Sequence, residues 1–512
     1  MRPPQNLALS PAYRFTCKAV ITTWLVVSAI HAFAQASWPT HSHDAQHTGV
    51  SSVASQPLAK IHWSTPVDLA PVVSSGDILI HYGSPLITAA NTVIVPVKTG
   101  TNSFRVEARD GATGTLKWST NSGYQAPSSA FVPAFGPTLS GTTLYFPDAA
   151  GTVMSRAKAD NATGTIKRLA FYGIKNFQGN RTLYTQNVKI NTPITADAAG
   201  NIYFGFLVLG PTPIGLESGL ARIAPNGSAV FVSAATVSND PLITKVAMNC
   251  APALSPDGKT LYVAVGNVDF GIGDLLALDS TTLQLIRQVR LTDPATGLSA
   301  TIADASSSTP TVGPDGDVYF GVLEDPFPGH NDRGWLLHFN SDLSQEKIPG
   351  SFGWDDTASI VEASLVPSYH GASTYLLMTK YNNYASIGTG DGHNRIAILD
   401  PNAKESDPVD HTTKVMKEVT TILGRTRDPE FLNFPGAVKE WCINSAAVDP
   451  VGKSVLANSE DGKLYRWDLT TKKFSEILKL TGGIGEAYTP TVIGSDGTVY
   501  AINDAVLFAI GQ

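Results

Sequence analysis

One sequence pattern recurs along most of this chain, and it limits the possible folds more than any other feature. The unit from Pro252 to Val289 reads PALSPDGKTLYVAVGN, then a short loop, then DLLALDSTTLQLIRQV. This pattern is typical of four short strands joined by polar turns. Self-similarity at a period of about 50 residues indicates a propeller or a solenoid. Copies of the unit begin near Pro85, Pro137, Pro193, Pro252, Pro310, Leu365, Ala446 and Pro490.

The two ends of the repeat region match each other. The eighth copy reaches Gln512 with three strands and lacks a fourth, whereas the early segment KIHWST, from Lys60 to Thr65, resembles the fourth-strand pattern LKWST at Leu116 to Thr120. A first strand that completes the last blade closes a ring and removes open sheet edges. The sequence therefore predicts an all-β fold: a single closed β-propeller over residues 37–512, with eight four-stranded blades.

Composition supports this fold and excludes one class of partner. The 512 residues are 43% hydrophobic and 15% charged, with 45 Gly and 33 Pro, which suits many short strands and tight turns. The formal net charge is −7, and without the three basic residues of segment 1–36 the remainder carries −10. Such an acidic balance argues against a nucleic-acid partner. We expect a monomer.

The N-terminal residues predict export. Arg14 and Lys18 precede an apolar stretch from Ala19 to Ile30, which is too short to span a bilayer, and small residues follow up to Ala36. We interpret residues 1–36 as a cleavable signal peptide and expect a secreted or periplasmic protein. Cys17 lies before the apolar stretch, so it is not placed as a lipoprotein cysteine, and no transmembrane segment follows.

Only Cys250 and Cys442 remain beyond that segment. An oxidising compartment permits a disulfide. Both residues precede an innermost strand, but in blades three apart, and regular channel geometry favours a separation beyond the roughly 7 Å between Cα atoms that a disulfide tolerates. A disulfide and two buried thiols are both left open.

Two segments resemble the PQQ-like, or quinoprotein-type, propeller superfamily. The opening WPTHSHDAQHTG, from Trp38 to Gly49, is similar to the W-P…D…T-G opening of that family, and EARDGATGTLKW, from Glu107 to Trp118, is similar to its A-x-D-x-x-T-G-x-x-x-W repeat. The resemblance covers nearly all of residues 37–512 and implies the fold rather than a function. Members include quinone-dependent alcohol and sugar dehydrogenases and outer-membrane assembly lipoproteins that bind no cofactor.

The resemblance also bears on cofactors. The dehydrogenases hold their quinone with a vicinal Cys-Cys, a stacking Trp and a calcium bound by Glu and Asn beside a catalytic Asp. This chain has no Cys-Cys and no C-x-x-C-H haem motif. We therefore do not expect pyrroloquinoline quinone, and no cofactor is assigned, although calcium remains open. The histidines at positions 41, 43 and 47 do not follow a standard zinc spacing.

Polar and aromatic residues concentrate in the loops of the later blades. In a propeller the loops from the outermost strand to the next innermost strand share one face with the loops between the second and third strands, so these residues are expected to converge on one rim of the channel. The candidate ligand-binding residues are Trp354, Asp355 and Asp356 before blade six, Lys380, Tyr381, Asn382, Asn383 and Tyr384 within it, Glu440, Trp441 and Asn444 before blade seven, and Glu486 and Tyr488 before blade eight.

This residue set leaves two classes of function open. Carboxylate and amide oxygens suit calcium, and aromatic faces with Asn and Asp suit carbohydrates. The first hypothesis is a module that binds a glycan, an envelope protein or a metal-bridged ligand at the channel mouth. The alternative is a channel-mouth enzyme, either a divergent calcium- and quinone-dependent oxidoreductase or a polysaccharide lyase or hydrolase. No catalytic residue and no metal ligand is assigned from the sequence.

Overall fold

The repeat units fold into β-sheets that stand around a central channel. A computed structural model describes residues 38–74, 77–78, 82–127, 135–483 and 488–512. These residues form eight blades and confirm the predicted closed, all-β propeller. Strands are numbered in chain order, and within a blade the numbering runs from the channel outward.

The first half of the ring follows the strand β1 (Lys60–Pro66) and a short hairpin of β2 (Val73–Ser74) and β3 (Asp77–Ile78). In blades three and four two short segments share the innermost position. Blade one holds β4 (Leu86–Ile87), β5 (Thr92–Gly100), β6 (Ser103–Asp110) and β7 (Leu116–Ser122); blade two holds β8 (Thr138–Ser140), β9 (Thr143–Pro147), β10 (Val153–Arg156) and β11 (Ile166–Leu169); blade three holds β12 (Val188–Ile190), β13 (Thr195–Ala196), β14 (Ile202–Val208), β15 (Gly219–Ile223) and β16 (Ala229–Ser233); blade four holds β17 (Lys245–Val246), β18 (Ala253–Leu254), β19 (Thr260–Gly266), β20 (Gly273–Asp279) and β21 (Leu285–Arg290).

The second half of the ring carries most of the candidate residues. Short helices occur only in loops of the described chain: α1 (Ile174–Gly179), α2 (Arg181–Asn187) and α3 (Ala234–Ser238). Blade five holds β22 (Thr311–Val312), β23 (Val318–Val322) and β24 (Trp335–Phe339); blade six holds β25 (Ser359–Glu362), β26 (Tyr375–Tyr381), β27 (Arg395–Ser406) and β28 (Lys414–Leu423); blade seven holds β29 (Ala447–Asp449), β30 (Ser454–Asn458), β31 (Lys463–Asp468) and β32 (Lys473–Lys479); blade eight holds β33 (Val492–Ile493), β34 (Val499–Asn503) and β35 (Val506–Gly511).

Inner and outer strands differ in sequence because their surroundings differ. The second strand of blade four, TLYVAVG, is almost wholly buried, since neighbouring blades cover both of its faces. The outermost strand of blade seven, KFSEILK, alternates between exposed and partly buried residues. Because one face of this strand is exposed to solvent, exposed and partly buried side chains alternate with a period of two residues. None of the described helices is long and apolar enough to cross a bilayer.

The early strand closes the ring as the sequence predicted. Strand β1 pairs antiparallel with β35, with Lys60 opposite Gly511 and Pro66 opposite Val506. The indole of Trp63 packs on the ring of Tyr500 with 5.8 Å between centroids, and its Nε1 donates to the carbonyl of Gly111 in blade one at 2.8 Å. Blades eight and one are therefore joined by the first strand of the chain.

The segment from Trp38 to Ser51, here called the channel segment, contacts the innermost strands of successive blades in chain order. Trp38 exchanges backbone hydrogen bonds with Ile87 of blade one. Gln46 accepts a hydrogen bond from the amide of Val312 of blade five at 2.9 Å. Comparable backbone bonds join Pro39 to Leu139, Ala45 to Leu254, Thr48 to Ile360, and Gly49 and Ser51 to Val448, while the hydroxyl of Thr40 reaches the carbonyl of Ile194 at 3.4 Å. The channel segment thus contacts blades one to seven in turn, with one or two residues for each blade.

Two details differ from the sequence prediction. The innermost strand of blade six is Ser359–Glu362, whereas Leu365 lies in a 3-10 turn, because residues 363–374 form an insertion between the first two strands. In blade five the outermost position is filled by residues 346–350, which join β24 only by isolated bridges, Leu336 with Gly350 and Phe339 with Glu346. Pro349 lacks the amide hydrogen that a regular ladder needs.

Candidate functional site

Loops of blades five, six and seven meet at the channel through three buried polar side chains. The carboxylate of Asp355 accepts hydrogen bonds from the amide and the hydroxyl of Ser307, at 2.6 and 2.7 Å. The side-chain amide of Asn444 donates to the carbonyl and the hydroxyl of the same serine, at 2.9 and 2.7 Å. These bonds fix the ends of three innermost strands relative to each other. The predicted convergence therefore holds for Asp355 and Asn444.

Asp356 and Lys380 form a second pair at this rim. Both side chains are buried, and the carboxylate of Asp356 accepts a hydrogen bond from the hydroxyl of Thr379. Burial raises the pKa of Asp356 to about 7, although the neighbouring Lys380 charge acts in the opposite direction. At neutral pH this carboxyl therefore balances the lysine charge only in part.

The ammonium group of Lys380 faces aromatic rings. Its Nζ lies 5.9 Å from the ring centroid of Phe352 and 5.8 Å from that of Tyr488, within the range of cation–π attraction. Only 2% of the surface of Lys380 is exposed to solvent. Among the residues that the structure describes, its Nζ makes no hydrogen bond or ion pair. A buried cation with so little compensation is unusual.

A group of two carboxylates and a thiol lies beside this rim in blade seven. Ligand atoms of Glu440, Cys442 and Glu460 all fall within 4.8 Å of one another. Burial raises the pKa of Glu460 to about 7, and it raises that of the adjacent Tyr384 phenol well above its usual value. Mixed sulfur and oxygen donors suit zinc-like metals, whereas calcium takes oxygen ligands alone. The group is thus a better match to a zinc-like ion than to the calcium considered above.

A small cavity lies beside the channel segment. This cavity of about 20 Å³, large enough for a water molecule, lies between loops of several blades, with His41, Asn249, Ser307 and Tyr488 in its wall. Small-molecule sites usually enclose about 300–1,000 Å³. This cavity is far smaller than that range, and His41 of the channel segment forms part of its wall.

Two histidines of the channel segment lie close together, and one of them, His41, is part of the cavity wall. The rings of His41 and His47 are 5.7 Å apart, and Nε2 of each is buried with no hydrogen-bonding partner among the residues that the structure describes. Nδ1 of His47 lies 2.8 Å from the carbonyl of Pro310. Burial lowers the pKa of His41 to about 3 and that of His47 to about 4. Both rings are consequently neutral across the physiological range.

Other candidate residues pack within a blade or connect neighbouring blades. Trp441 is buried in the core of blade seven against Tyr465 and Phe474. The side chain of Asn382 bonds the backbone amide and carbonyl of Trp441, each at 3.2 Å, and so ties blade six to blade seven. Trp354 lines a separate small cavity with residues of blades four and five. Glu486 lies outside the described residues.

Tyr381 and Asn383 line a different concave surface of the protein from the rim where Lys380 lies. Both line a cleft with Arg333 and Arg395 that shares no wall residue with the channel cavity. Successive residues of a strand point to opposite faces of its sheet, which separates Tyr381 from the lysine before it. The sequence prediction of one convergent set was therefore wrong for these two residues.

Several residues of the rim were not predicted from the sequence. Ser307 and Thr379 hold the two aspartates, Phe352 faces Lys380, and Glu460 joins the group at Cys442. Ser307 lies in the run SSST just before the Pro310 repeat, a polar signal at the expected loop position. Phe352 carries no such signal. Cys250 and Cys442 are both buried, and no disulfide joins them to each other.

Known structures share this architecture. A europium-containing methanol dehydrogenase matches 91% of this chain and 89% of its own, with a TM-score of 0.56 and 11% identity. A quinohemoprotein alcohol dehydrogenase from Comamonas testosteroni matches 93% of this chain and 81% of its own, with a TM-score of 0.53 and 12% identity. No family model and no curated protein matches the chain. The fold is that of a PQQ-like β-propeller, and identities this low show the fold alone.

Proposed function

We propose that this protein is a binding module that takes an anionic ligand at its channel mouth, and that the ligand is an acidic glycan. The observation that carries the proposal is the ammonium group of Lys380, which is buried beside two aromatic rings and bonds no described residue. A carboxylate of a bound uronate would supply the missing partner. Tyr488, partly exposed at the mouth, offers an aromatic face of the kind that sugar rings pack against.

An exported setting belongs to the proposal. Residues 1–36 have the pattern of a signal peptide, although they lie outside the described residues. An exported protein encounters both acidic glycans and envelope proteins. The unpaired cation favours the glycan, and an envelope protein with an acidic loop is the partner that the test below would reveal instead.

The test is titration calorimetry of the protein with short galacturonate oligomers and with neutral oligosaccharides of the same length. We expect the acidic oligomers to bind, the neutral ones to bind at least about tenfold more weakly, and the affinity to fall as salt is added, because a charge pair is screened. Lys380→Met should weaken binding by about tenfold or more. Lys259→Met is the matched control, since Lys259 is exposed in a turn of blade four.

Three outcomes would contradict the proposal. They are equal binding of acidic and neutral oligomers, unchanged affinity of Lys380→Met, or no binding of any oligomer. In the last case a pull-down with envelope proteins, compared between the same two variants, would identify a protein partner by its dependence on Lys380.

A second candidate function rests on Asp356. Its pKa of about 7, raised by burial, is the value that suits a general acid or base at neutral pH, and Lys380 lies beside it. The reaction class would be cleavage of an acidic polysaccharide by elimination. A rise in ultraviolet absorbance with uronate polymers, lost in Asp356→Asn, would support this candidate. A dye-linked oxidation assay with added quinone and calcium tests the oxidoreductase alternative in the same way.

A further inference from the structure

A second concave site lies away from the channel, between blades five and six. This blade-five/six cleft encloses about 390 Å³, which is within the usual range for small-molecule sites. Its walls include Arg333, Tyr381, Arg395 and Glu418, together with the pair of Asp391 and His393. The residues of the channel mouth discussed above, Asp355, Asp356 and Lys380, do not line it.

The cleft contains two arginines that lack a carboxylate partner. Arg333 is 3% exposed, and its guanidinium bonds only neutral acceptors: the carbonyl and the hydroxyl of Ser351, at 3.0 and 3.2 Å, and the carbonyl of Asn382, at 2.6 Å. The side chain of Arg395 has no hydrogen bond or ion pair with any residue that the structure describes. Buried or half-buried cations are normally paired, so the two guanidinium groups can each take an anionic partner from a ligand.

A third donor lies in the same cleft. The hydroxyl of Tyr381 is buried with Ser351 and Glu418 as its polar neighbours, and it makes no hydrogen bond of regular geometry with a described residue. Tyr381 stands directly opposite Arg395 in the pairing of β26 with β27, which places the two side chains on one face of the sheet. The guanidinium of Arg333 packs on the ring of Tyr381, 4.3 Å from its centroid, and orients that ring. The two guanidinium groups and the phenol therefore face one cleft, in which Glu418 also offers an acceptor.

The remaining wall limits the charge of the ligand. Glu418 contributes a carboxylate, and Asp391 pairs with His393 at 2.7 Å. The two arginines and the two acids of the wall balance each other, so a dianion such as phosphate is disfavoured more strongly than a single carboxylate. Hydroxyl groups on the rest of the ligand would find acceptors in these acids.

We propose that the blade-five/six cleft binds a hydroxylated monocarboxylate, the chemistry of a sugar acid, with its carboxylate held by Arg395 and the Tyr381 hydroxyl. Arg333 is the positioning residue that supports the tyrosine ring. The inference stands on its own observations and does not require a ligand at Lys380.

The experiment is titration calorimetry of the intact protein with D-glucuronate, with D-glucose as the neutral control and inorganic phosphate as the dianionic control. We expect glucuronate to bind and the two controls to bind at least about tenfold more weakly. Arg395→Gln should weaken glucuronate binding by about tenfold or more, and Tyr381→Phe by about threefold to tenfold.

Tyr381→Phe separates binding from folding. Because its hydroxyl makes no hydrogen bond of regular geometry with a described residue, the melting temperature should change little while the affinity falls. Unchanged affinity in both Tyr381→Phe and Arg395→Gln would overturn the proposal, as would a failure of glucuronate to bind. A loss of glucuronate binding in Lys380→Met alone would overturn it as well, while leaving the channel-mouth proposal intact.

Discussion

A buried histidine whose ring nitrogen has no hydrogen-bonding partner makes the stability of the native state sensitive to acid. The pKa of His41 is about 3 and that of His47 about 4, in both cases because burial disfavours the charged ring, whereas an unfolded histidine has its ordinary value of 6.5. The unfolded state therefore binds more protons than the native state below that value. Native stability from these rings is complete above about pH 6.5 and is lost as the pH falls toward 3.

The resulting prediction concerns the free energy of unfolding, measured in urea between pH 7 and pH 4.5. Each pKa unit corresponds to about 1.4 kcal/mol, so the wild type should lose several kcal/mol over this interval from the two rings together. His47→Gln should flatten the dependence on pH. His370→Gln, at an exposed residue of blade six, is the control and should leave the slope unchanged. Parallel slopes for all three proteins would contradict the role of His47.

Residue-level chemistry was only partly predictable. The sequence placed Asp355, Asp356, Lys380 and Asn444 at the rim because polar residues before an innermost strand, or after a second strand, must lie on the channel rim of any propeller. That these residues bind a ligand stays a prediction. Tyr381 was assigned to the wrong space, because the loop pattern does not say which face of the sheet each residue takes. Whether Glu486 joins the rim remains a prediction.

At the scale of elements, the channel segment depends on close backbone approach. Gly49 has a φ of +67°, and a methyl group there would lie 2.8 Å from Oγ of Ser359 and 2.9 Å from the carbonyl of Ala446. Those two atoms belong to the regions that start blades six and seven. The segment can pass between them only because residue 49 has no side chain.

Gly49→Ala is therefore expected to lower the free energy of unfolding by about 3 kcal/mol, since the left-handed backbone conformation and the steric clash add. Gly258→Ala is a matched control: its φ is +71°, but no atom lies within 4 Å of the added methyl group. That control should cost only about 1 kcal/mol. Equal losses in chemical denaturation would show that the clash is relieved without cost.

Strand assignment from the repeat was good where the blade is regular. The pairing of β1 with β35 followed from the likeness of KIHWST to LKWST, because outermost strands share a half-exposed alternation. The start of blade six was misplaced because residues 363–374 interrupt the repeat. No local sequence pattern indicates that these residues are an insertion. The innermost strand of blade six was therefore predicted to follow them, whereas it precedes them.

For the whole molecule, ring closure predicts a difference between two truncated chains. A chain that starts at Val67 lacks both the channel segment and β1, so β35 becomes an open edge. A chain that starts at Lys60 lacks the channel segment but keeps β1. We expect the shorter chain to self-associate, as unprotected edges do, and the longer one to do so far less. Light scattering after size-exclusion chromatography measures this, and identical profiles would contradict it.

The path of the channel segment also sets the order in which this protein can mature. Residues 38–51 emerge early in synthesis, yet their partners are spread from Ile87 to Val448, and β1 pairs only with the last strand. Contacts this distant along the chain form late and slowly. The end of the channel segment and β1 must therefore stay unengaged until nearly the whole chain has emerged, which leaves a long interval in which a chaperone would find them accessible.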